Sequence, residues 1–374
     1  MLRRVSLRET ITERVQQWWC QQCRSSFTFR RLTGRKHFAG LFIRETVKDF
    51  IQGRSSVAVI HERKGVGVGT ISSWVRRFGD ACMNPVEIAV ILSLTKKNRW
   101  SGILLLDAKY LNKRQLLLVA VDFATLDIVG WLVTDAETVD GYSRLVDQVE
   151  ACGYVIKALI SDGHPAIIAL TQAPAPRFIR KGTRPYPRPG VLPALPKTPR
   201  LAGIPHQWCV IHAERDIDRF TAKLPQEERQ AIHTLVHDLL FARTVTKAER
   251  MQKKLAEATA LSPLAAQRVA RWIVYHWELL TVHHTVRIGR KKIPRDTNAI
   301  ENVLSYVNTR LKTMRRLRTT ASAEAISNLI VVNYRTKPLA NSGNKLKRGK
   351  SPLGLAIGKN VKIDWMKLIK KSCS

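Results

Sequence analysis

The chain carries 63 Lys and Arg against 29 Asp and Glu, so any carboxylate that follows a run of apolar residues needs a reason to be there. Asp107 follows ILLL at 103–106, and Asp162 closes VIKALISD. An acid at the end of a buried strand is presented where the open edge of a sheet holds a site. Glu301 is the third candidate. In TNAIENVLSYVNTRLK, Thr297 or Asn298 suits a helix N-cap, and Ile300, Val303, Leu304, Val307 and Leu311 recur at helical spacing. Glu301, Ser305, Asn308 and Lys312 then form the polar face. Three converging carboxylates repel one another unless divalent cations neutralise them. Magnesium binds carboxylate oxygens and water. Two such ions activate a water or a 3′ hydroxyl on one side of a phosphate and stabilise the leaving oxygen on the other. The competing reading is that strand-end Asp residues cap helices and close turns.

Positioning these acids falls to a sheet. ILLLD, RQLLLVAVDF and DIVGWLVTD read as three strands, the last two joined by a short turn at Ala124 to Asp127. VDGYSRLVDQVEACG follows as an amphipathic helix with Tyr142, Leu145, Val146 and Val149 on one face, and VIKALISD is a fourth strand. A meander, a helix and a further strand make a mixed sheet in which the fourth strand returns beside the first and parallel to it. That arrangement brings Asp107 close to Asp162. IPHQWCVIH is a further strand or turn, Ala213 to His284 a helical stretch, TVRIGRKKIPRD at 285–296 a basic loop, and SAEAISNLIVVNY a last long helix. Asp122 reads as a hairpin residue, and Asp216 and Asp218 as partners of Arg215 and Arg219 on a helix face. His164 reads as either a helix-start residue or a phosphate contact.

The formal charge of +34 is spread along a chain that is 45% hydrophobic with 9 Trp and 10 Phe. This excludes a protamine-like arm and points to a folded protein whose partner is nucleic acid. The longest apolar runs, ILLL and LLLVAV at 116–121, are too short to cross a bilayer, and no signal-peptide pattern precedes them. A cytoplasmic, nucleoid-associated protein with no membrane partner is the expectation. Near the start, Cys20 and Cys23 form one Cys-x-x-Cys, half of a zinc-ribbon pattern, with only His37 and His61 in reach as further ligands. Two small core thiols are the alternative. Residues 39–80 read as a helix-turn-helix. Ser56 suits a cap, KGVGVGT forms the turn, and Thr70 caps ISSWVRRF, which points Arg76 and Arg77 outward as DNA contacts. Residues 173–200 hold 8 of the 16 prolines with 7 basic residues and no acid, a linker or a strap along phosphates. The segment 339–374, with 9 Lys or Arg and one acid, reads as a disordered or loosely docked basic tail.

Taken together, LLLDAKYL, VAVDFATLDIVGW, the ET of DAETVDGY, ALISDGHPAI, TNAIENVLSYVNTRLK and SPLGLA at 351–356 resemble bacterial insertion-sequence transposases of the Mutator-like type, over roughly residues 15–357. The resemblance implies an α/β, ribonuclease H-like mixed sheet over 100–338 with a helical insertion at 205–295. Ahead of it would lie a zinc-knuckle-like segment over 1–38 and the helix-turn-helix. It implies that Asp107, Asp162 and Glu301 are a catalytic triad holding two magnesium ions, with a possible zinc at Cys20 and Cys23. Trp208, Cys209 and His212 would position DNA and order the triad, and Lys312, Arg315 and Arg316 would join Arg76 and Arg77 in contacting DNA. The implied activity is cleavage at the terminal inverted repeats of an element and strand transfer into target DNA by a homo-oligomer. A nuclease of the same fold without strand transfer, or a DNA-binding remnant acting as a repressor, are the alternatives.

Overall fold

The computed structural model describes residues 2–9, 14–22, 24, 26–28, 38–172, 198–312, 319–340, 342–358 and 363–370. Most of the proline-rich segment, together with Cys23, Arg315 and Arg316, lies outside the described residues. The chain divides into two compact units, Met1–Thr46 and Val47–Ser374. The first contains an antiparallel sheet of β1 (Leu2–Glu9), β2 (Arg14–Cys20) and β3 (Ser26–Thr28), in that order. The Cys-x-x-Cys therefore begins on the last residue of a strand, with Cys20 opposite Leu2.

The boundary falls within helix α1 (Gly40–Ile51). Helix α2 (Val57–Lys64) starts on Ser56, whose hydroxyl accepts from the Val59 N–H, as its sequence leads one to expect. Helix α3 (Val68–Asp80) departs from expectation. It begins at Gly67 with no side-chain cap, so Thr70 lies inside the helix and the turn between α2 and α3 is short. Its Ile71, Val75 and Phe78 are buried, Trp74 is half-buried, and Arg76 and Arg77 are exposed. Helix α4 (Pro85–Ile91) opens with a capping box between Asn84 and Glu87.

Strands β4 (Ile103–Tyr110), β5 (Leu116–Asp122) and β6 (Ile128–Thr134) form an antiparallel meander. Helix α5 (Val139–Ala151) crosses back, β7 (Ala158–Ser161) pairs parallel to β4, and helix α6 (Pro165–Thr171) follows. Strand β8 (His206–Trp208) then pairs parallel to β7, giving the order β6-β5-β4-β7-β8. Every residue of β5 is buried, which requires cover on both faces. Leu104, Leu106, Leu118 and Leu159 pack with Tyr142, Leu145 and Val146 of α5 and with Ile167 and Leu170 of α6. The other face meets the late helices.

The predicted helical stretch is five helices, α7 (Val210–Thr221), α8 (Gln226–Leu240), α9 (Val245–Thr259), α10 (Leu264–Tyr275) and α11 (Trp277–Thr285). Pro225 and Pro263 stand immediately before α8 and α10, where a proline can start a helix but not continue one. The basic loop at 285–296 contains a hairpin of β9 (Arg287–Ile288) and β10 (Lys291–Lys292). Helices α12 (Asn298–Leu311), α13 (Thr320–Thr336) and α14 (Pro352–Ile357) complete the unit. Gly79 of α3 lies so close to the Ala325 backbone of α13 that a Cβ would overlap its carbonyl.

Residues 363–370 are packed, contrary to the expectation of a disordered or loosely docked tail. Trp365 and Leu368 are buried, and the Met83 N–H donates to Leu368 O at 2.9 Å. The Lys370 ammonium lies 2.7 Å from Glu87. Apolar side chains among the lysines, which net charge conceals, explain this docking. A buried ion pair locks the sheet to α13: Arg335 donates from Nε and Nη2 to the two oxygens of Asp127 at 2.8 and 2.9 Å. No helix among the described residues is long and apolar enough to cross a membrane.

Candidate active site

Register decides where the strand acids point. Leu106 pairs with Ser161 across the parallel β4/β7 ladder, so Asp107 and Asp162, one residue further on, share the face opposite Leu104, Leu106 and Leu159. Strand β4 does not end at Asp107, as the sequence suggests, but continues three residues to Tyr110, paired with β5 alone. The sheet opens where β7 stops. The Asp107 carboxyl is raised to about 7, first by burial and then by the nearby charge of Asp162.

Helix α12 supplies Glu301 in its first turn. Thr297 occupies the cap position, yet its hydroxyl makes no capping bond. It stands 3.2 Å from Cys209 Sγ, 3.3 Å from Glu301 Oε1 and 3.5 Å from His212 Nδ1. Having one proton, it can donate to only one of them at a time. The Thr297 N–H also donates to Cys209 Sγ at 3.4 Å. Burial opposes ionisation of the Cys209 thiol, but bonds with His212 and Thr297 outweigh it and hold the thiol below its ordinary range. The same bond to Cys209 raises His212, burial opposes it, and the charges of Cys209, Asp162 and Glu301 add to the rise. His212 therefore feels the charges of both the sheet aspartate and the helix glutamate.

Trp208 secures Asp162 from behind. Gly163 has φ +87 and no room for a Cβ, which would fall inside the Trp208 indole. The indole in turn stacks edgewise on Trp272 at 5.0 Å and His276 at 4.9 Å. Gly163→Ala should therefore destabilise the fold by about 2–4 kcal/mol, through both a left-handed backbone and an overpacked ring. Thermal melts measure this, and an unchanged melting temperature would mean that Trp208 moves aside without cost.

Glu137 and Tyr142 are the residues that sequence reasoning did not assign. The Tyr142 hydroxyl donates to Glu137 Oε2 at 2.9 Å, and the phenol is raised by burial and by the charges of Glu137, Asp162 and Asp107. His164 Nδ1 accepts from the Ala166 N–H at 3.3 Å and lies 3.6 Å from Glu137, so it is a helix-start residue beside a fourth carboxylate. The signal available was Glu137 directly before the Thr138 cap of α5. Asp122 is structural. It is fully buried and accepts from Ser101, Thr125 and the Tyr154 hydroxyl. Asp216 pairs with Arg219 as expected, but Asp218 pairs across helices with Arg229 at 3.5 Å and His233 at 2.6 Å. Lys312 is exposed at the end of α12.

The structure thus brings together Asp107, Asp162, Glu301, Cys209 and His212, with Trp208 behind them. Arg76 and Arg77 stand on α3, which packs on α13. Among the described residues no group of three His, Cys, Asp or Glu stands in an arrangement that holds a metal ion. Neither a protein-family model nor a curated protein matches the chain.

Proposed function

We propose that the protein is a DNA transposase with a ribonuclease H-like catalytic core, cutting DNA at the ends of a mobile element and joining the released ends to target DNA. The observation that carries the reading is the pairing of Asp107 and Asp162 on one face of adjacent parallel strands, with Glu301 held through Thr297 beside Cys209 and His212. The strand order, with a meander followed by two strands parallel to its first, agrees with the implied core. The charge of +34 suits a polyanionic substrate.

Two neighbouring carboxylates, one of them raised to about 7 by burial and then by the charge of the other, are hard oxygen donors of the kind magnesium takes. Asp107 and Asp162 would hold magnesium, and since the three acids do not stand together as a ligand set, Glu301 would complete it only by moving towards them. When bound, magnesium supplies the positive charge that offsets these acids and polarises the phosphate. The chain's own residues do the positioning. Thr297 fixes one oxygen of Glu301, Cys209 orients His212, and the Trp208 ring holds the Asp162 turn in place. In the first step a water oxygen bonds to phosphorus as the bond to the 3′ oxygen breaks. In the second, the freed 3′ hydroxyl attacks a target phosphate, so one phosphodiester replaces another.

The test uses purified protein, magnesium and a duplex carrying the DNA that flanks its own gene. Cleavage to a 3′ hydroxyl followed by joining to a second duplex is expected. Cutting without joining would leave a nuclease, and binding with no cutting would leave a DNA-binding protein without chemistry.

A further inference from the structure

We propose that the β9/β10 hairpin grips the backbone of duplex DNA beside the phosphate being cut. The inference rests on the function proposed above and assigns to a specific element a role in holding phosphate that neither the sequence nor that reading had placed.

The hairpin turns through two residues, Gly289 at φ +61 and Arg290, and pairs Arg287 with Lys292 and Ile288 with Lys291. Arg287 and Lys292 thus lie directly opposite each other, and like charges facing across a ladder destabilise it. Among the described residues no carboxylate is paired with either side chain. The side chains of Arg287, Arg290, Lys291 and Lys292 are exposed. The one acid of the segment, Asp296, accepts from the Asn298 N–H at the start of α12. His284, next to the hairpin, is lowered by burial and then by the charges of Lys292 and Arg295. An element that concentrates charge against its own stability is built for a polyanion.

Its base is fixed to the site. Ile293 is buried, the Arg295 guanidinium lies 4.7 Å above the Phe241 ring, and the Arg295 carbonyl accepts from the Val210 N–H at 3.0 Å, beside Cys209. Thr297 comes two residues later. Lys292 is five positions before Thr297 and Arg290 seven, so at full extension their backbones lie within about 18 and about 25 Å of it. At about 3.4 Å of rise per nucleotide, this spans roughly five to seven phosphates.

The experiment measures binding to a mixed-sequence duplex several helical turns long, as a function of salt, together with thermal melting. Arg287→Gln/Lys292→Gln should reduce the slope of log K against log salt by about 1.8, at about 0.9 for each phosphate the protein no longer neutralises. The melting temperature should stay level or rise, because a repulsive pair has gone. Lys253→Gln/Lys254→Gln, which removes the same charge from the exposed face of α9, should leave the slope unchanged. An unchanged slope in the hairpin variant, or equal falls in both variants, would overturn the inference while leaving the proposed function standing. Parent protein whose duplex binding does not depend on salt would sink both. A fall in melting temperature in the hairpin variant would make the pair structural and overturn the inference as well.

Discussion

Asp107→Asn, Asp162→Asn and Glu301→Gln should each lower magnesium-dependent DNA cleavage by about three orders of magnitude or more, while duplex affinity changes little. The separation follows from the charge distribution. In the proposed function the three acids would provide oxygen donors beside the open end of the β4/β7 ladder, whereas phosphate binding would draw on the basic residues, 63 in number, spread along the chain. Gel assays of cleavage and binding on the same duplex measure both, and a variant that keeps parental cleavage would remove that residue from the machinery. Asp107 also has a signature in stability. With its folded value at about 7, the folded state holds a proton that the unfolded chain has lost, so this carboxyl costs stability progressively as pH rises from about 4 to about 7. In EDTA at about pH 8, Asp107→Asn should therefore be more stable than the parent by about 1–2 kcal/mol, a figure reduced for partial solvent screening. The gain should vanish below about pH 4. Equal stabilities across this range in denaturant titrations would mean that Asp107 is not held against its charge.

Arg335→Leu should cost about 3–5 kcal/mol, because it leaves Asp127 buried with its charge uncompensated. Asp127 is fully buried, and besides Arg335 its side chain accepts from the Trp100 indole at 3.2 Å. Burial raises this acid and Arg335 opposes the rise. Without the guanidinium, Asp127 is more readily protonated, so the deficit of the variant should shrink as pH falls. Adding Asp127→Asn should recover part of the loss. Urea melts of both variants at neutral and mildly acidic pH provide the check, and a loss under about 1 kcal/mol would mean that water or a neighbour replaces Arg335.

The elements around the acids were legible because each carries its own periodicity. The runs 103–106 and 116–121 are continuously apolar, as strands covered on both faces must be, and α5 and α12 show their buried stripes in sequence. The Ser56 cap is a local signal, read within a few residues of where it acts, whereas reading 213–284 as one helical stretch does not place the breaks at Pro225 and Pro263. The start of α3 was misplaced because Thr70 matches a cap by type, while the helix begins three residues earlier, on a cap at Gly67. The chain end was misread because lysines dominate its composition, and the anchoring of Trp365 and Leu368 depends on surfaces distant in sequence.

Which acids are unusual was already visible in the order of residues: on so basic a chain, a carboxylate after an apolar run stands out by type and position alone. Their company was settled by folding. Side-chain direction along a strand alternates with period two, so whether Asp107 and Asp162 share a face depends on the Leu106 to Ser161 register, which no local pattern encodes. Thr297 reads as a cap, and becomes a partner of Cys209, His212 and Glu301 only because β8 brings α7 against the start of α12. Glu137 and Tyr142 join the acids through the crossover of α5. Long-range contacts are set by how the whole sheet and its helices bury their apolar faces together, and that is the information a single stretch of residues does not contain.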